Sequence, residues 1–581
     1  MNNEILTGKP SVDRPWLKYY PQALLDNLQV PDCTLRQYLQ FNIPSMDTVA
    51  MHYYGTDITW QQVFDRAGAV AKSLKALGFG VGDQIPSFLR SVPEFIYLML
   101  AAETIGASVL CRDNTIEENV EAVAASGASA IFAHTFLTEE DMNAYLNGTN
   151  TRKIILLDPC NDCSRENMPD YIRASLDSNF VGTAAHGPAT MTWDEFLALG
   201  EHYTGTVEAP VDIDRPLFRC YTSGSTGPSK QVIHSAHTMI GVLTQMNFYG
   251  SAPVRPKWLV TILPPALVAV VVSMLMLPLA SNKLLILDPW VDVYDIDLEC
   301  MRYQPNNWPM IPMFIEVLMK SQRIPADYDL SHLHALGAGA EACNNTQLKR
   351  IRKFLDDHNC HVPFTTGYGS SEAGSNITFH ISGRPVGDAN VGCPMPLTTV
   401  GIFKPGTTDN ELGYNVDGEI CVTGPGIMLG YDNPEATAKA LKLHADGNLW
   451  LHMGDIGHID EMGHIYTAGR GSNKRFGGGF LDILPMENML ADADIPGIKD
   501  QFFVNIPDAE HEGYLVPYLY VVLDDDCTVE SIREAVHNAL PAHMIPVEIL
   551  QVPERPFWHF KTNRIGLTRE VMAAREAVLN I

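Results

Sequence analysis

Hydrophobic residues in the first part of the chain recur at helical spacing. Apolar positions follow one another every three or four residues over 61–78, and Gly78 ends the helix that this pattern predicts. A second helix is predicted over 91–107, closed by Gly106. Three short apolar runs predict buried strands, at 153–159, 257–264 and 283–289. Because strands alternate with helices, the pattern indicates an α/β fold with a mostly parallel sheet.

The sequence pattern changes near residue 395, where strands alternating with helices give way to short strands. Short apolar stretches with glycine turns, TTVGIFKP, GEICVTGPGIMLGY and GHIYTAGR, are typical of a small β-barrel. Beyond residue 473, a strand is predicted over 514–523 and an amphipathic helix over 528–540, with Thr528 as its N-cap. We place a domain boundary near 472–474. The predicted domains are 1–472 and 473–581.

The longest apolar run, 266–280, predicts a buried wall rather than a membrane span. It is shorter than the roughly 20 residues that a transmembrane helix needs. Prolines bound it, at positions 264, 265 and 278. We therefore expect no transmembrane segment.

Composition restricts the function further. The chain has 581 residues, too many for one hydrophobic core, and a net charge of -28, which disfavours nucleic acid as a partner. A phosphate ligand would need local cations and backbone N–H groups. The 11 cysteines are scattered and the first residues show no signal-peptide pattern, so a cytoplasmic location is expected. Cys160 and Cys163 have metal-site spacing, but without a second pair an ordinary loop is the preferred interpretation.

The stretch YTSGSTGPSK, residues 221–230, combines glycines, hydroxyls and one lysine. Backbone N–H groups in such a turn can cradle phosphate oxygens, and Lys230 can reach the outer phosphates. The stretch does not match the Walker pattern, because Ser229 precedes the lysine and Gln231 follows it. Taken alone, it fits a flexible surface loop equally well.

The same stretch resembles the phosphate loop of the adenylate-forming enzymes, which include acyl-CoA synthetases, peptide-synthetase adenylation domains and luciferases. Ser229 stands where that family usually has Pro, and Gln231 where it has Gly. By this resemblance, the phosphate-binding residues are Thr222, Ser223, Gly224, Ser225, Thr226, Gly227 and Lys230.

Four further segments resemble the same family and occur in the family's order. GYGSSEAG implies that Tyr368 stacks on adenine, that Ser371 touches the α-phosphate as a catalytic residue, and that Glu372 holds Mg²⁺. Segments 449–460 and 466–474 imply ribose contacts, and GAGAEA implies a loop beside the nucleotide. The residues implied by these three segments are Asp455, Arg470, Gly339, Ala340 and Glu341.

The end of the chain also resembles this family. Lys561 and Arg564 keep the family's spacing, although two extra residues follow Pro553 and Phe560 replaces Gly, and Lys561 is the implied catalytic lysine. The resemblance implies that the family's hinge lies at Asn473. The GGGF loop, 477–480, resembles the segment that relatives swing into the active site.

The resemblance implies a large N-terminal domain of stacked α/β sheets plus a small β-barrel, followed by a small mobile α+β domain. It also implies ATP- and Mg²⁺-dependent activation of a carboxylic acid, followed by transfer to CoA. The apolar stretch PPALVAVVV and the start RPWLKYYP, similar to that of bacterial fatty acyl-CoA synthetases, favour a fatty acid. Aryl or steroid acids, and a carrier protein as the thiol acceptor, remain alternatives.

Three interpretations from other classes stay open at this point. GAGAEA also fits a dinucleotide-binding fingerprint, which would indicate an NAD(P)-dependent oxidoreductase. GSSEA approximates a hydrolase nucleophile elbow at Ser371, without the final glycine. The departures around Lys230 and Lys561 would also fit a non-catalytic nucleotide-binding protein.

Overall fold

The computed structural model describes most of the chain. The described residues are 7–179, 187–222, 229–247, 255–339, 341, 343–380, 389–471, 473–558 and 561–579.

The largest sheet has seven strands, and most of its neighbouring strands are parallel, as predicted. Its strands are parallel except for the last, which pairs antiparallel as a hairpin. In spatial order they are Phe364–Thr366, Ala335–Ala338, Asn307–Met310, Lys257–Val260, Leu284–Leu287, Val49–Tyr53 and Thr56–Thr59. The strands predicted at 257–264 and 283–289 are adjacent in this sheet, and both are shorter than predicted.

A second sheet of five strands mixes parallel and antiparallel pairing. In order it runs Gly430–Tyr431, Gln231–Ser235, Pro216–Tyr221, Ser108–Leu110 and Gln84–Pro86. A parallel bridge between Ser87 and Phe132 joins it to a three-stranded parallel sheet. That sheet contains Ala130–His134, Lys153–Leu157 and Thr190–Thr192.

The helices begin and end largely where the sequence predicts. The helix Trp60–Ala76 starts at a capping box between Thr59 and Gln62, and Gly106 ends the helix Pro93–Ile105 in the left-handed conformation, with φ 77°. The other helices of eight or more residues are Ile116–Ser126, Glu139–Gly148, Asp170–Asn179, Trp193–Glu201, Ala236–Met246, Ile296–Tyr303, Pro312–Lys320, Asn345–Asp357, Ile483–Ala493, Val529–Ala539 and Arg564–Leu579. Shorter ones are Pro10–Asp13, Gln22–Leu25, Leu35–Gln40, Leu277–Ala280 and Pro434–Ala440, with 3₁₀ turns at Pro15–Tyr19, Arg165–Asn167 and Val293–Asp295.

The strands predicted after residue 395 form a five-stranded antiparallel sheet, here called the bulged sheet. It contains Thr399–Phe403, Gly418–Thr423, Leu449–Ile459, Leu441–Leu443 and Ile465–Arg470. Hydrogen-bonded pairing that would close it into the predicted barrel is not found among the described strands. The end of the GPGIMLGY segment leaves this sheet, since Gly430–Tyr431 pairs with Gln231–Ser235 instead.

The C-terminal segment has an apolar core of its own. Its strands are Ile498–Pro507, Leu515–Leu523 and Glu548–Gln551, and the predicted helix Val529–Ala539 begins at a capping box between Thr528 and Ser531. Leu481, Phe503 and Val536 belong to a cluster separate from the main core. The domain boundary at 472–474 stays a prediction.

Most of the predicted wall is an irregular, largely buried helix over 268–280, whereas Leu267 before it is 40% exposed. Val270–Met276 has π-helical hydrogen bonding and continues into Leu277–Ala280. Val270, Val271 and Val272 are fully buried. Among the described helices, none combines the length and apolarity that crossing a membrane requires.

A tight hairpin follows the strand Phe364–Thr366 of the main sheet. Gly369–Ser370 pairs antiparallel with Ser375–Asn376, so 371–374 form the turn. Gly374 has a φ of +77°, and an added Cβ would lie 2.5 Å from the carbonyl oxygen of Gly426. Only glycine fits this position without a shift of the backbone.

We predict that Gly374→Ala destabilises the protein and disturbs the turn at 371–374. The left-handed conformation alone costs alanine about 1–2 kcal/mol, and overpacking adds about 1–3 kcal/mol. Gly82→Ala is the matched control, because Gly82 has a φ of +85° with nothing within 4 Å of its added Cβ. Thermal midpoints of both variants measure the difference, and equal midpoints would contradict the steric argument.

Candidate active site

The turn at 371–374 presents two of the predicted site residues, Ser371 and Glu372. His234, fully buried, holds the turn from behind by donating from Nε2 to the Ser371 carbonyl oxygen at 2.8 Å. Burial lowers the pKa of His234 to about 4, so the imidazole is neutral at physiological pH. The Glu372 carbonyl oxygen accepts from the N–H of Met428 at 2.8 Å. The turn is therefore fixed from two sides.

Tyr431, which the sequence prediction missed, orients the Glu372 carboxylate. The Tyr431 hydroxyl donates to Glu372 Oε1 at 2.6 Å. The Lys230 ammonium lies 5.0 Å from the centre of the Tyr431 ring. Glu372 and Lys230 therefore contact the same aromatic side chain, at the edge strand of the second sheet.

The base of the glycine-rich stretch is closed by hydrogen bonds. The Thr222 N–H donates to the Lys230 carbonyl oxygen at 2.9 Å, and the Lys230 N–H donates to Thr222 Oγ1 at 3.0 Å. The Ser229 hydroxyl adds a bond to the Thr222 carbonyl oxygen at 2.6 Å. The predicted phosphate-binding residues Ser223, Gly224, Ser225, Thr226 and Gly227 lie outside the described residues.

Asp455, Arg470 and Tyr368 form one polar group at the edge of the bulged sheet. Arg470 Nε donates to Asp455 Oδ1 at 2.9 Å, and the Tyr368 hydroxyl donates to Asp455 Oδ2 at 2.7 Å. Burial raises the pKa of Asp455 even though Arg470 and Tyr368 favour the charged form. The carboxylate is thus an oriented acceptor with a fixed cation beside it.

A cavity of about 170 Å³ opens beside this polar group. Tyr368 lines it together with Glu341, Gly367 and Thr467, and Leu484 from the C-terminal segment also contributes. Gly339 lies at the end of the strand Ala335–Ala338, with its N–H on the Met310 carbonyl oxygen at 3.2 Å. Ala340 lies outside the described part of the chain.

Glu341 connects this cavity to the C-terminal segment. Its carboxylate contacts Arg564 Nη1 at 2.5 Å and accepts from the Thr562 N–H at 3.2 Å. Burial alone would raise the pKa of Glu341, but Arg564 and Thr562 lower it below its usual range. Arg564 Nη2 also contacts Glu487 at 3.0 Å. The sequence pointed to Arg564 only through its spacing from Lys561.

Lys561 lies close to Glu341 and is largely buried rather than exposed on the surface. Burial lowers its pKa, Glu341 opposes that effect, and the charge of Arg470 adds to it. The adjacent residue, Thr562, binds Glu341 through its N–H, which places Lys561 next to this carboxylate along the chain. Asn473, the predicted hinge, accepts from the Leu481 N–H at 2.9 Å. In the GGGF loop, added Cβ atoms on Gly478 and Gly479 would lie within about 3 Å of His543.

The cysteine pair at 160 and 163 occupies a turn, in which the Cys163 N–H donates to the Cys160 carbonyl oxygen at 3.1 Å. Both thiols are free and partly buried.

Comparison with known proteins agrees with this arrangement. The model of the family described as AMP-binding enzyme matches residues 43–432. A long-chain-fatty-acid–CoA ligase of Escherichia coli O157:H7 is 25% identical over 552 residues, which cover 91% of this chain and 93% of that protein. 4-coumarate–CoA ligase 3 of Oryza sativa subsp. japonica is 24% identical, with 83% and 81% covered. The ATP-bound crystal structure of MatB from Rhodopseudomonas palustris superposes with a TM-score of 0.75 at 19% identity, covering 93% of this chain and 98% of that one.

These findings confirm the predicted fold class and the predicted class of enzyme, an AMP-forming acid–thiol ligase that uses ATP, Mg²⁺ and CoA. They leave no support for the oxidoreductase and hydrolase interpretations. The family model covers more than half of the chain and includes Thr222, Lys230 and Glu372. The chain belongs to the AMP-binding enzyme family.

Proposed function

We propose that the protein activates a hydrophobic carboxylic acid of the fatty acid class as an acyl adenylate and transfers the acyl group to CoA. The observation that carries the proposal is a connected polar group beside the cavity: Tyr368, which lines the cavity, donates to Asp455, and Asp455 pairs with Arg470. Lys561 directly precedes Thr562, whose N–H binds Glu341, another residue of the cavity lining. An oriented carboxylate, a flat aromatic ring and two cations are what a nucleotide needs from its site.

The nucleoside end of ATP would occupy the cavity beside Tyr368. Asp455 would accept from the ribose hydroxyls, with Arg470 holding the carboxylate in position. The aromatic ring of Tyr368 would face the adenine, and the backbone at Gly339, Ala340 and Glu341 would border it.

The phosphates would extend toward the turn at 371–374. Ser371 would contact the α-phosphate, and the stretch 222–227 together with Lys230 would bind the outer phosphates. Glu372 suits Mg²⁺, since this ion prefers one or two carboxylates together with phosphate oxygens and water, and Tyr431 orients the carboxylate. Bound there, the ion would neutralise charge that develops on the phosphates.

Lys561 would act in the first half-reaction. A carboxylate oxygen of the acid attacks the α-phosphorus, the bond from that phosphorus to the bridging oxygen breaks, and pyrophosphate leaves. Negative charge then concentrates on the α-phosphoryl oxygens, where an ammonium is most effective. In the second half-reaction the CoA sulfur attacks the acyl carbonyl carbon, its proton goes to solvent, and AMP leaves.

The apolar wall supports a hydrophobic acid. The thiol of Cys220 lies beside the backbone of Val268 and the side chain of Ser371, and its burial raises its pKa to about 12. Ser273, within the π-helical turn, is hydrogen-bonded to Ser375 at 2.6 Å. The wall therefore flanks the turn at 371–374, where Ser371 would contact the α-phosphate that the acid attacks. The name of the E. coli relative adds support for a fatty acid.

Two finer alternatives concern the substrates. The rice relative, whose name specifies 4-coumarate, favours an aryl acid as the second candidate. A carrier protein is the alternative to CoA as the thiol acceptor.

Pyrophosphate exchange into ATP tests the proposal directly. We expect exchange only with an acid and Mg²⁺ present, and fastest with medium- or long-chain fatty acids in a panel that also contains acetate, 4-coumarate and steroid acids. A best rate with 4-coumarate would assign the second candidate, and no exchange with any acid would refute adenylation. AMP release with and without CoA then identifies the acceptor.

We predict that Asp455→Ala raises the KM for ATP far more than the KM for the acid. Losing both ribose bonds leaves buried hydroxyls without partners, at a cost of about 2–4 kcal/mol. Asp417→Ala is the matched control, because Asp417 pairs with His458 of the same strand at an exposed position. An unchanged KM for ATP in a folded Asp455→Ala variant would remove this residue from the nucleotide site.

We predict that Lys561→Ala blocks adenylation but spares thioester formation from synthetic acyl adenylate and CoA. Removing one group that stabilises the transition-state charge costs about 10²–10³ in rate. The control is Lys499→Ala, an exposed lysine of the same segment that pairs with Asp524 at 3.3 Å.

The comparison of the two half-reactions decides the role of Lys561. Equal loss in both would indicate a structural role, and no loss in either would dismiss this lysine from catalysis.

A further inference from the structure

A second cluster of polar side chains lies on the bulged sheet, apart from the nucleotide cavity. Glu419 and Cys421 are two positions apart on the strand Gly418–Thr423 and so share one face. His452, on the strand Leu449–Ile459, pairs directly with Cys421. One donor atom from each residue lies within 4.8 Å of the other two. His452 and Cys421 are almost fully buried, and the Glu419 side chain is 14% exposed.

The spacing of the donor atoms fits a small cation. His452 Nδ1 lies 3.4 Å from Cys421 Sγ and 3.0 Å from Glu419 Oε2. Tetrahedral Zn²⁺ places sulfur and nitrogen ligands about 3.6 Å apart, and nitrogen and oxygen ligands about 3.3 Å apart. The observed separations are shorter by only a few tenths of an ångström, so small side-chain rotations suffice.

The surroundings of His452 fit a metal ligand. Its other ring nitrogen, Nε2, lies 3.0 Å from Nε2 of His444, which is itself stacked on Trp450. A metal-bound imidazole donates its second N–H to an acceptor, and His444 is positioned to accept it. The carboxylate of Glu419 is held in turn by the N–H of Gly406 at 3.2 Å.

We infer that Glu419, Cys421 and His452 form a binding site for a divalent transition metal of the Zn²⁺ class. A thiolate, an imidazole and a carboxylate together suit Zn²⁺ rather than Mg²⁺, which takes oxygen ligands. Three protein ligands leave a fourth position for water. On binding, the Cys421 thiol releases its proton to solvent, and neutral His452 binds through Nδ1 as the tautomer whose single proton is on Nε2 and is donated to His444.

The cluster lies beside a bulge of the sheet that contains Asp455, a proposed nucleotide-binding residue. Cys421 pairs with His452, but Glu419 pairs with Ile456, so one residue on the first strand faces three on the second. The three bulged residues, 453–455, include Asp455. Bulges redirect side chains near active sites. A metal bridging both ends of the bulge would fix the direction of Asp455, a consequence that rests on the proposed function, whereas the site itself does not.

Cobalt binding tests the site without reference to activity. The full-length protein is freed of metal by dialysis against a chelator and titrated with Co²⁺. We expect one Co²⁺ per chain and a thiolate-to-cobalt charge-transfer band. The band should disappear in Cys421→Ser, and cobalt affinity should fall at least about 10-fold in His452→Asn and in Glu419→Gln. The Glu419→Gln variant keeps the inference testable if Cys421→Ser does not fold.

Matched variants separate this site from the other thiols and histidines. Cys393→Ser replaces another fully buried cysteine, and His458→Asn replaces a histidine of the same strand that pairs with Asp417. Both should keep the band. The thermal midpoint of the wild type should rise with Zn²⁺, and that of Cys421→Ser should not.

Two results would overturn the inference: no cobalt–thiolate band in the wild type, or a band that survives in Cys421→Ser. Either result would leave the cluster as hydrogen-bonded side chains only. A bound metal whose removal leaves the KM for ATP unchanged would contradict the link to Asp455 alone, since metal uptake is measured independently.

Discussion

The position of the proposed catalytic lysine depends on one buried ionic group. Arg564 lies between the carboxylates of Glu341 and Glu487, and the Thr562 N–H also binds Glu341. Separating buried charges is costly, because each loses its partner without regaining water at once. Lys561 directly precedes Thr562, so this contact holds the lysine close to Glu341. If the C-terminal segment rotates about Asn473, the contacts of Glu341 with Arg564 and Thr562 must open, whereas Arg564 and Glu487 move together.

Local chemistry explains why much of the fold could be predicted from the sequence. The helix ends at Thr59, Gly106 and Thr528 are set by capping side chains and by a left-handed glycine, and these act over a few residues. The apolar strand Lys153–Leu157 is buried as its composition requires. The order of the motifs along the chain was enough to indicate the family.

Features that depend on distant register could not be predicted. Tyr431 contacts Glu372 because Gly430–Tyr431 pairs with a strand some two hundred residues earlier in the chain. The extent of the bulge at 453–455 depends on the pairing of two strands; Gly454, with a φ of 72°, is a local signal for a bulge but does not set its length. Glu341 was expected beside the nucleotide, but its ionic contact with Arg564 depends on how the C-terminal segment packs. The residue-by-residue roles stay predictions.

The π-helical turn at Val270–Met276 affects how substrate preference can be transferred from relatives. In an α-helix each residue advances about 100° around the axis, so one extra residue per turn displaces every later side chain by roughly that angle. An aligned position after Val270 therefore faces a different direction here than in a relative whose helix is regular. Specificity rules based on aligned pocket positions would assign the wrong residues to the acid's tail, and three-dimensional superposition of the pocket walls is the appropriate basis for comparison.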